Sequence, residues 1–262
     1  VASRSEAPRG PSYRLGWNVG AWHCDHGRSR DALVLLEVAD GMPRLSGRPW
    51  RGNLKDTIRS RRGVGLIDAL LDLASPKGEA CLDLAIAIDA PLGWPDAMVE
   101  LVVMGLAAPE IAGHGDNRYL FRETESALVR RGFRTPLSAV QDMLGSQSTK
   151  ALHFLRAAGF EREDAGVWHL DANGRRASAV ETYPAVIETA RQLRDAKASI
   201  ESSPAWRALP KAGEDAEQDI GDALSCAVLA HLWADRRESC EPIPEHASLG
   251  EGWIVVPTGI SA

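Results

Sequence analysis

At 262 residues, with 44% hydrophobic and 25% charged side chains, the chain is long enough for a full core and ordinary in composition for a globular protein. Its net charge of −6 excludes a protein that holds polyanions by bulk charge, so any nucleic-acid contact must come from a local basic patch. The longest apolar runs, LDLAIAI and VELVVMGLAA, are too short to cross a bilayer, and no leader with a cleavage site opens the sequence, so neither membrane insertion nor secretion is expected.

In chain order, the polar, Pro- and Gly-rich start VASRSEAPRGPS (1–12) reads as a disordered leader, and 13–262 as one domain. YRLGWNVGAW predicts a strand, DHGRSR a turn and DALVLLEVA an antiparallel partner, with MPRLSGRPW adding a short third strand. TIRSRRGVGLIDALLDLAS carries Leu66, Ile67, Leu70, Leu71 and Leu73 at helical spacing and predicts a helix ended by Pro76. CLDLAIAIDAPLGWP is apolar on both faces apart from Asp83, as a central strand should be, and stops at Asp89 before Pro91 and Gly93. From Asp96 to about Gly159 the pattern is helical, which predicts an insertion over about 96–160 packed on the same domain. RRASAVETYPA returns to strand and ends at Glu181, QDIGDALSCAVLAHLWA is a helix, and GEGWIVVPTG closes with a short strand. This order fits an α/β layer with a mixed sheet and helices on its faces.

The four cysteines show no CxxC spacing. Cys81 and Cys226 stand in apolar contexts as small buried hydrophobes, which points to a reducing cytoplasm. WHCDHG (His23, Cys24, Asp25, His26) has zinc-type ligands, but consecutive residues of a strand face opposite ways, so it reads as a hairpin end.

The chemistry sits in carboxylates. Asp219 and Asp222 lie three apart at the head of the last long helix. They can act as caps on the helix N-terminus, or share one face and aim at a metal ion. Asp89 and Glu181 each end a predicted central strand, where ligands of parallel sheets bind. Taken singly, Asp89 reads equally as a turn former and Glu181 as a solvated strand end. Together, three or four converging acids require a divalent cation, and an all-oxygen set suits Mg²⁺ or Mn²⁺ in phosphoryl transfer.

The ordered series AIDAPLGWP, RETE…PLS, VETYPA, DIGDALSCAVLA and EGWIVVP, spanning roughly Arg14 to Pro257, resembles the family called domain of unknown function 429, predicted nucleases of RNase H-like fold. The resemblance implies a five-stranded mixed sheet with its second strand antiparallel, flanked by helices, with the helical insertion between the fourth and fifth strands. It implies acids at the ends of the first and fourth strands and on the last helix. Carried over, these are Asp89, Asp219 and Asp222 as metal ligands, with Glu181 on the fifth strand. The DxxD helix is also similar to the last helix of Holliday-junction resolvases of this superfamily. One position departs: where the family's first strand carries Asp, this chain has Asn18, which offers a carbonyl oxygen but no charge.

Arginines gather in RSRR (Arg59, Arg61, Arg62) and in NRYLFRETESALVRRGFR (Arg118, Arg122, Arg130, Arg131, Arg134), as bidentate phosphate ligands or as a solvated face balanced by Glu123 and Glu125. The family's RxTD-like step falls on Arg122, Thr124 and Glu125, which the resemblance sets along the pocket. Trp22 and Trp94 flank the expected site, either stacking on a base or anchoring the core. The expectation is a cytoplasmic, metal-dependent nuclease acting on DNA or RNA. Catalysis would be carried by Asp89, Asp222, Asp219, Glu181 and Asn18, and substrate held by Arg118, Arg122, Arg130, Arg131, Trp22 and Trp94. The alternative is a catalytically impaired RNase H-like nucleic-acid-binding or scaffold module, marked by Asn18.

Overall fold

The computed structural model describes residues 12–75, 83–111, 113 and 116–262. The leader expected over 1–12 lies outside the described residues except Ser12, which opens the first strand, and Pro76 and Cys81 lie outside them as well.

Among the described residues, eight strands form one mixed sheet. In chain order they are β1 (Ser12–Asn18), β2 (Asp31–Ala39), β3 (Met42–Leu45), β4 (Trp50–Gly52), β5 (Asp83–Asp89), β6 (Glu161–Asp164), β7 (Val167–Ala172) and β8 (Arg175–Glu181). The spatial order is β3-β2-β1-β5-β8-β7-β6, with β4 paired to β2 beside β3. β1, β5 and β8 run parallel; β2 is antiparallel to β1, and β7 to β8.

The helices are α1 (Lys55–Ser60), α2 (Val64–Ala74), α3 (Asp96–Met104), α4 (Glu123–Arg130), α5 (Gly145–Ala158), α6 (Pro184–Ile187), α7 (Arg191–Glu201), α8 (Pro204–Arg207) and α9 (Glu214–Asp235). Two cores hold them to the sheet. On one face Leu15, Trp17, Leu33 and Ile86 meet Leu70 of α2 and Phe154 and Leu155 of α5. On the other, Val34, Ala85, Ala87 and Val180 meet Leu193 of α7 and the run from Ala223 to Leu232 in α9.

The α/β layering with helices on both faces agrees with the sequence reading, whereas the strand count does not. The third-strand stretch divides into β3 and β4, both pairing with β2. The hairpin β6–β7, which extends the sheet beyond β8, follows the stretch expected to be helical and was not among the expected strands. The helix expected up to Pro76 is two helices broken at Gly63, whose φ of 57° turns the chain where a side chain would be strained. The closing segment forms no strand. It meets the sheet through a parallel bridge from Ile254 to Glu181, and an antiparallel bridge joins Pro257 to Cys240 outside the sheet. No helix among the described residues is long and apolar enough to cross a membrane.

One contact sets the site. A Cβ added to Gly16 would fall 1.9 Å from the Ala223 carbonyl oxygen and 2.3 Å from the Ala227 nitrogen, so glycine here allows α9 to lie directly on β1. α9 runs antiparallel to β1. Arg14 near the start of the strand grips Asp235 through two 2.7 Å bonds, and Asn18 at its end meets Asp219. The second and third turns of α9 are thereby delivered to the carboxyl ends of the parallel strands; because the helix begins at Glu214, Asp219 and Asp222 lie inside it and are not the N-terminal caps expected.

Candidate active site at the carboxyl ends of the parallel strands

Asn18 and Asp89 are register partners at the ends of β1 and β5, and Glu181 ends β8 beside Ile88. Asn18, Asp89 and Glu181 line a cavity of about 170 Å³, together with Thr182, Tyr183 and residues of the link between α4 and α5. Asp219 and Asp222 come in on α9. The five residues expected to act together thus occupy one end of the sheet, but they fall into two electrostatic groups.

Glu181 and Asp219 are neutralised by arginines. Glu181 is only 2% exposed and receives Arg122 through two bonds, one of 2.8 Å to Oε2, plus the Leu92 N–H at 2.8 Å. Glu181 is therefore not a solvated strand end. Asp219 Oδ2 accepts from Arg51 Nε at 2.7 Å and from the Arg30 N–H at 3.0 Å, while its Oδ1 accepts from the Asn18 amide at 3.3 Å. Glu181 and Asp219 hold elements together: β8 to α4, and the head of α9 to β1, the loop before β2, and β4.

Asp89 and Asp222 differ. Neither carboxylate takes a hydrogen bond or salt bridge from any described residue. Burial, then the charges of Asp222 and Glu181, hold the Asp89 carboxyl well above its ordinary range. Burial and the neighbouring Glu188 push Asp222 up to about 6, against the opposing pull of Lys197. Lys197 in turn bonds Glu188 at 2.6 Å and Ser225 at 2.9 Å. Among the described residues these two acids, both held above the ordinary carboxyl range, have no bound cation partner at this end of the sheet.

The trio Asp89, Asp219 and Asp222 expected to ligate a metal is not assembled as such: among the described residues no three His, Cys, Asp or Glu side chains come together to hold a metal ion. The physical reason is that Arg51 draws Asp219 towards β4. WHCDHG likewise forms no such group, since Cys24 is buried against Asp31 while His23, Asp25 and His26 are exposed and Asp25 pairs with Lys55.

The expected substrate contacts are dispersed. Arg122 is 1% exposed and spent on Glu125, Glu181 and the Glu251 carbonyl, so its guanidinium is internal. Arg130 pairs with Glu123, and Arg131 with both oxygens of Glu241 at 2.8 and 2.9 Å. Arg118 is exposed beside the start of α4, in a separate surface depression with Asp96 and Asp116. Trp22 is pinned to α5, its indole N–H on Thr149 at 3.0 Å and its ring edge-on to His153. Trp94 packs against Gly145 at the start of the same helix. Neither tryptophan lines the cavity.

Several residues that matter here carried no local signal. Asp31 and Lys150 form a fully buried ion pair. Asp31 also takes N–H groups from Trp17, Gly20 and Leu54, and Lys150 bonds the carbonyls of Gly20 and Ala21. Together they fix the loop that leaves Asn18. Tyr183 and Gln147 line the cavity; the first follows Glu181 by two residues and could have been found from the strand end, whereas Gln147 has no neighbour in sequence that points to the site.

Comparison of the chain with protein-family models, with curated proteins and with solved structures gives no match. A functional reading therefore rests on the residues of this chain and the resemblance of its motifs.

Proposed function

We propose that the protein is a metal-dependent phosphodiesterase of RNase H-like type, acting on nucleic acid and belonging with the domain-of-unknown-function 429 nucleases. The observation that carries the reading is the pair Asp89 and Asp222, two carboxylates without cationic partners at the carboxyl end of a parallel sheet. Supporting the fold assignment, β1, β2, β3, β5 and β8 make a five-strand mixed array inside the larger sheet, with its second strand antiparallel. The free, buried Cys24, Cys226 and Cys240 fit a reducing cytoplasm.

The residues present fit Mg²⁺ or Mn²⁺ of the kind held by one or two carboxylates, with waters and substrate phosphate completing the shell. Asp89 and Asp222 would hold it. Such an ion, when bound, makes water a better nucleophile and offsets phosphate charge. In the hydrolysis a water oxygen bonds to phosphorus, the bond from phosphorus to the leaving oxygen breaks, and the leaving oxygen takes up a proton. As a ligand Asp89 would be ionised, so the proton for the leaving oxygen comes from solvent water and the attacking water gives up its own to solvent.

A second reading has its own observation. With Asn18 neutral and both Asp219 and Glu181 bound to arginines, the site has fewer charged ligands than the resemblance implies. This favours a catalytically impaired nucleic-acid-binding or scaffold module. Incubation of the protein with single- and double-stranded oligonucleotides in Mn²⁺ separates the two. The phosphodiesterase reading predicts cleavage that stops in EDTA and in Asp89→Asn; binding without cleavage supports the module.

A further inference from the structure

The carboxylate cavity has an apolar side. The link between α4 and α5 brings Pro136, Leu137 and Leu144 over the strand ends, and Ile254 and Tyr183 also line the space. At about 170 Å³ it is close to the ~150 Å³ apolar cavity that takes up a single benzene ring. It is well below the ~300–1,000 Å³ of pockets that enclose a whole drug-sized ligand. Its polar lining is Asn18, Ser29, Asp89, Gln147, Glu181 and Thr182.

The lip of this slot is unusual for a solvent-facing loop. Leu137 is 48% exposed and Met143, beside Leu144, is 86% exposed. The backbone of Met143 has a φ of 57°, in the left-handed region that a non-glycine residue holds only when its surroundings impose it. Pro91 and Pro136, which also line the slot, limit how far its walls can collapse. Exposed leucine and methionine beside a ring-sized slot are covered at no cost in polar desolvation when a flat ring lies on them.

We infer that this slot receives one unstacked nucleobase, so that the substrate is a single strand rather than a duplex. For the reaction it undergoes, this rests on the phosphodiesterase reading; for binding, it does not. An interior base of a duplex must be unpaired and unstacked before it can enter, while a single strand offers the base directly. Recognition by apolar and tyrosine surfaces tolerates any base, because every base has a π-face. Arg134 is exposed two residues before Pro136, with no ion pair among the described residues, and its charge reaches Tyr183; it is the cation nearest in the chain to meet the adjoining phosphate.

The test is binding in Ca²⁺, with a 10-nucleotide probe in four forms: single-stranded DNA, single-stranded RNA and the two corresponding blunt duplexes. The wild-type protein should bind a single strand at least tenfold tighter than the duplex of the same sequence, and the DNA and RNA arms tell which sugar is preferred. Leu137→Asp, at an exposed position, should leave the melting temperature unchanged and weaken single-strand binding about tenfold. Arg134→Glu should weaken it and lower its salt dependence. Equal or tighter duplex binding, an unaffected folded Leu137→Asp, or no binding of any probe overturns the inference. Single-strand preference without Mn²⁺-dependent cleavage would retain the slot and remove the phosphodiesterase reading. Cleavage with equal binding of both forms would do the reverse.

Discussion

Replacing Asp222 by Asn should stabilise the protein at neutral pH. The carboxyl lies at about 6 against an ordinary 3.8 because it is partly buried among Glu188 and Asp219. For a fully buried group that rise corresponds to roughly 3 kcal/mol against the ionised form. Asp222 keeps part of its surface in water, and solvent screening reduces the figure to ~1–2 kcal/mol. The sign follows from proton binding. Between about pH 4 and pH 6 the folded state binds the Asp222 proton more tightly than the unfolded chain, so wild-type stability falls as pH rises through that window. Asp222→Asn escapes this loss, and its advantage should be absent near pH 4 and complete by pH 7. In thermal melts with EDTA it should appear as a rise of about 3–6 °C at pH 7. Millimolar Mn²⁺ should then raise the wild type but not the variant, by ligand linkage. If the Asp222 carboxylate instead accepted a structural hydrogen bond, the substitution would cost on the order of 1 kcal/mol at pH 7. A lower melting temperature at pH 7, or a gain that is the same at pH 4, would show that the Asp222 charge is not the destabilising element.

Asn18→Asp removes the amide that donates to Asp219 and sets a second carboxylate against it, so it should destabilise the metal-free protein by ~1–3 kcal/mol and tighten Mn²⁺ binding, read by melts with and without the ion. Arg122→Met leaves Glu125 and Glu181 buried without their shared cation, and chemical denaturation should show a loss of ~3–5 kcal/mol. At the other end of α9, burial would raise the Asp235 carboxyl, but hydrogen bonds from Arg14 and His231 outweigh it and hold it far below the carboxylate range. Stability should therefore drop as pH falls below about 4, and Arg14→Met should flatten that part of the acid-unfolding curve.

Much of this arrangement could be read before the fold was known. DLAIAID is apolar on both faces because β5 lies in the middle of the sheet, and the acid that stops it is an end-of-strand residue. The small and apolar run from Ala223 to Ala230 is what a helix needs to lie on a strand at Gly16. The β7–β8 turn went unread, although Asn173 and Gly174, both at positive φ, have the composition of a two-residue hairpin loop. β6 was harder, since Glu161–Asp164 is wholly charged and sits at the sheet edge. The pairings that divide the acids into two groups had no local trace. Arg122 meets Glu181 from 59 residues away, and Arg51 meets Asp219 from 168. Periodicity reports which face a side chain occupies; it carries no information on which distant arginine will be waiting there.

On the proposed function, Asp89 and Asp222 jointly hold a divalent cation. Calorimetric titration of Mn²⁺ at pH 7, repeated in two buffers of different ionisation heat, puts that pair to the test. Because both carboxyls lie above their ordinary range, binding must expel the proton that the pair retains. The predicted result is saturable binding of about one ion per chain, with proton release, both abolished in Asp89→Asn. Absence of saturable binding, or binding that persists unchanged in that variant, would contradict it.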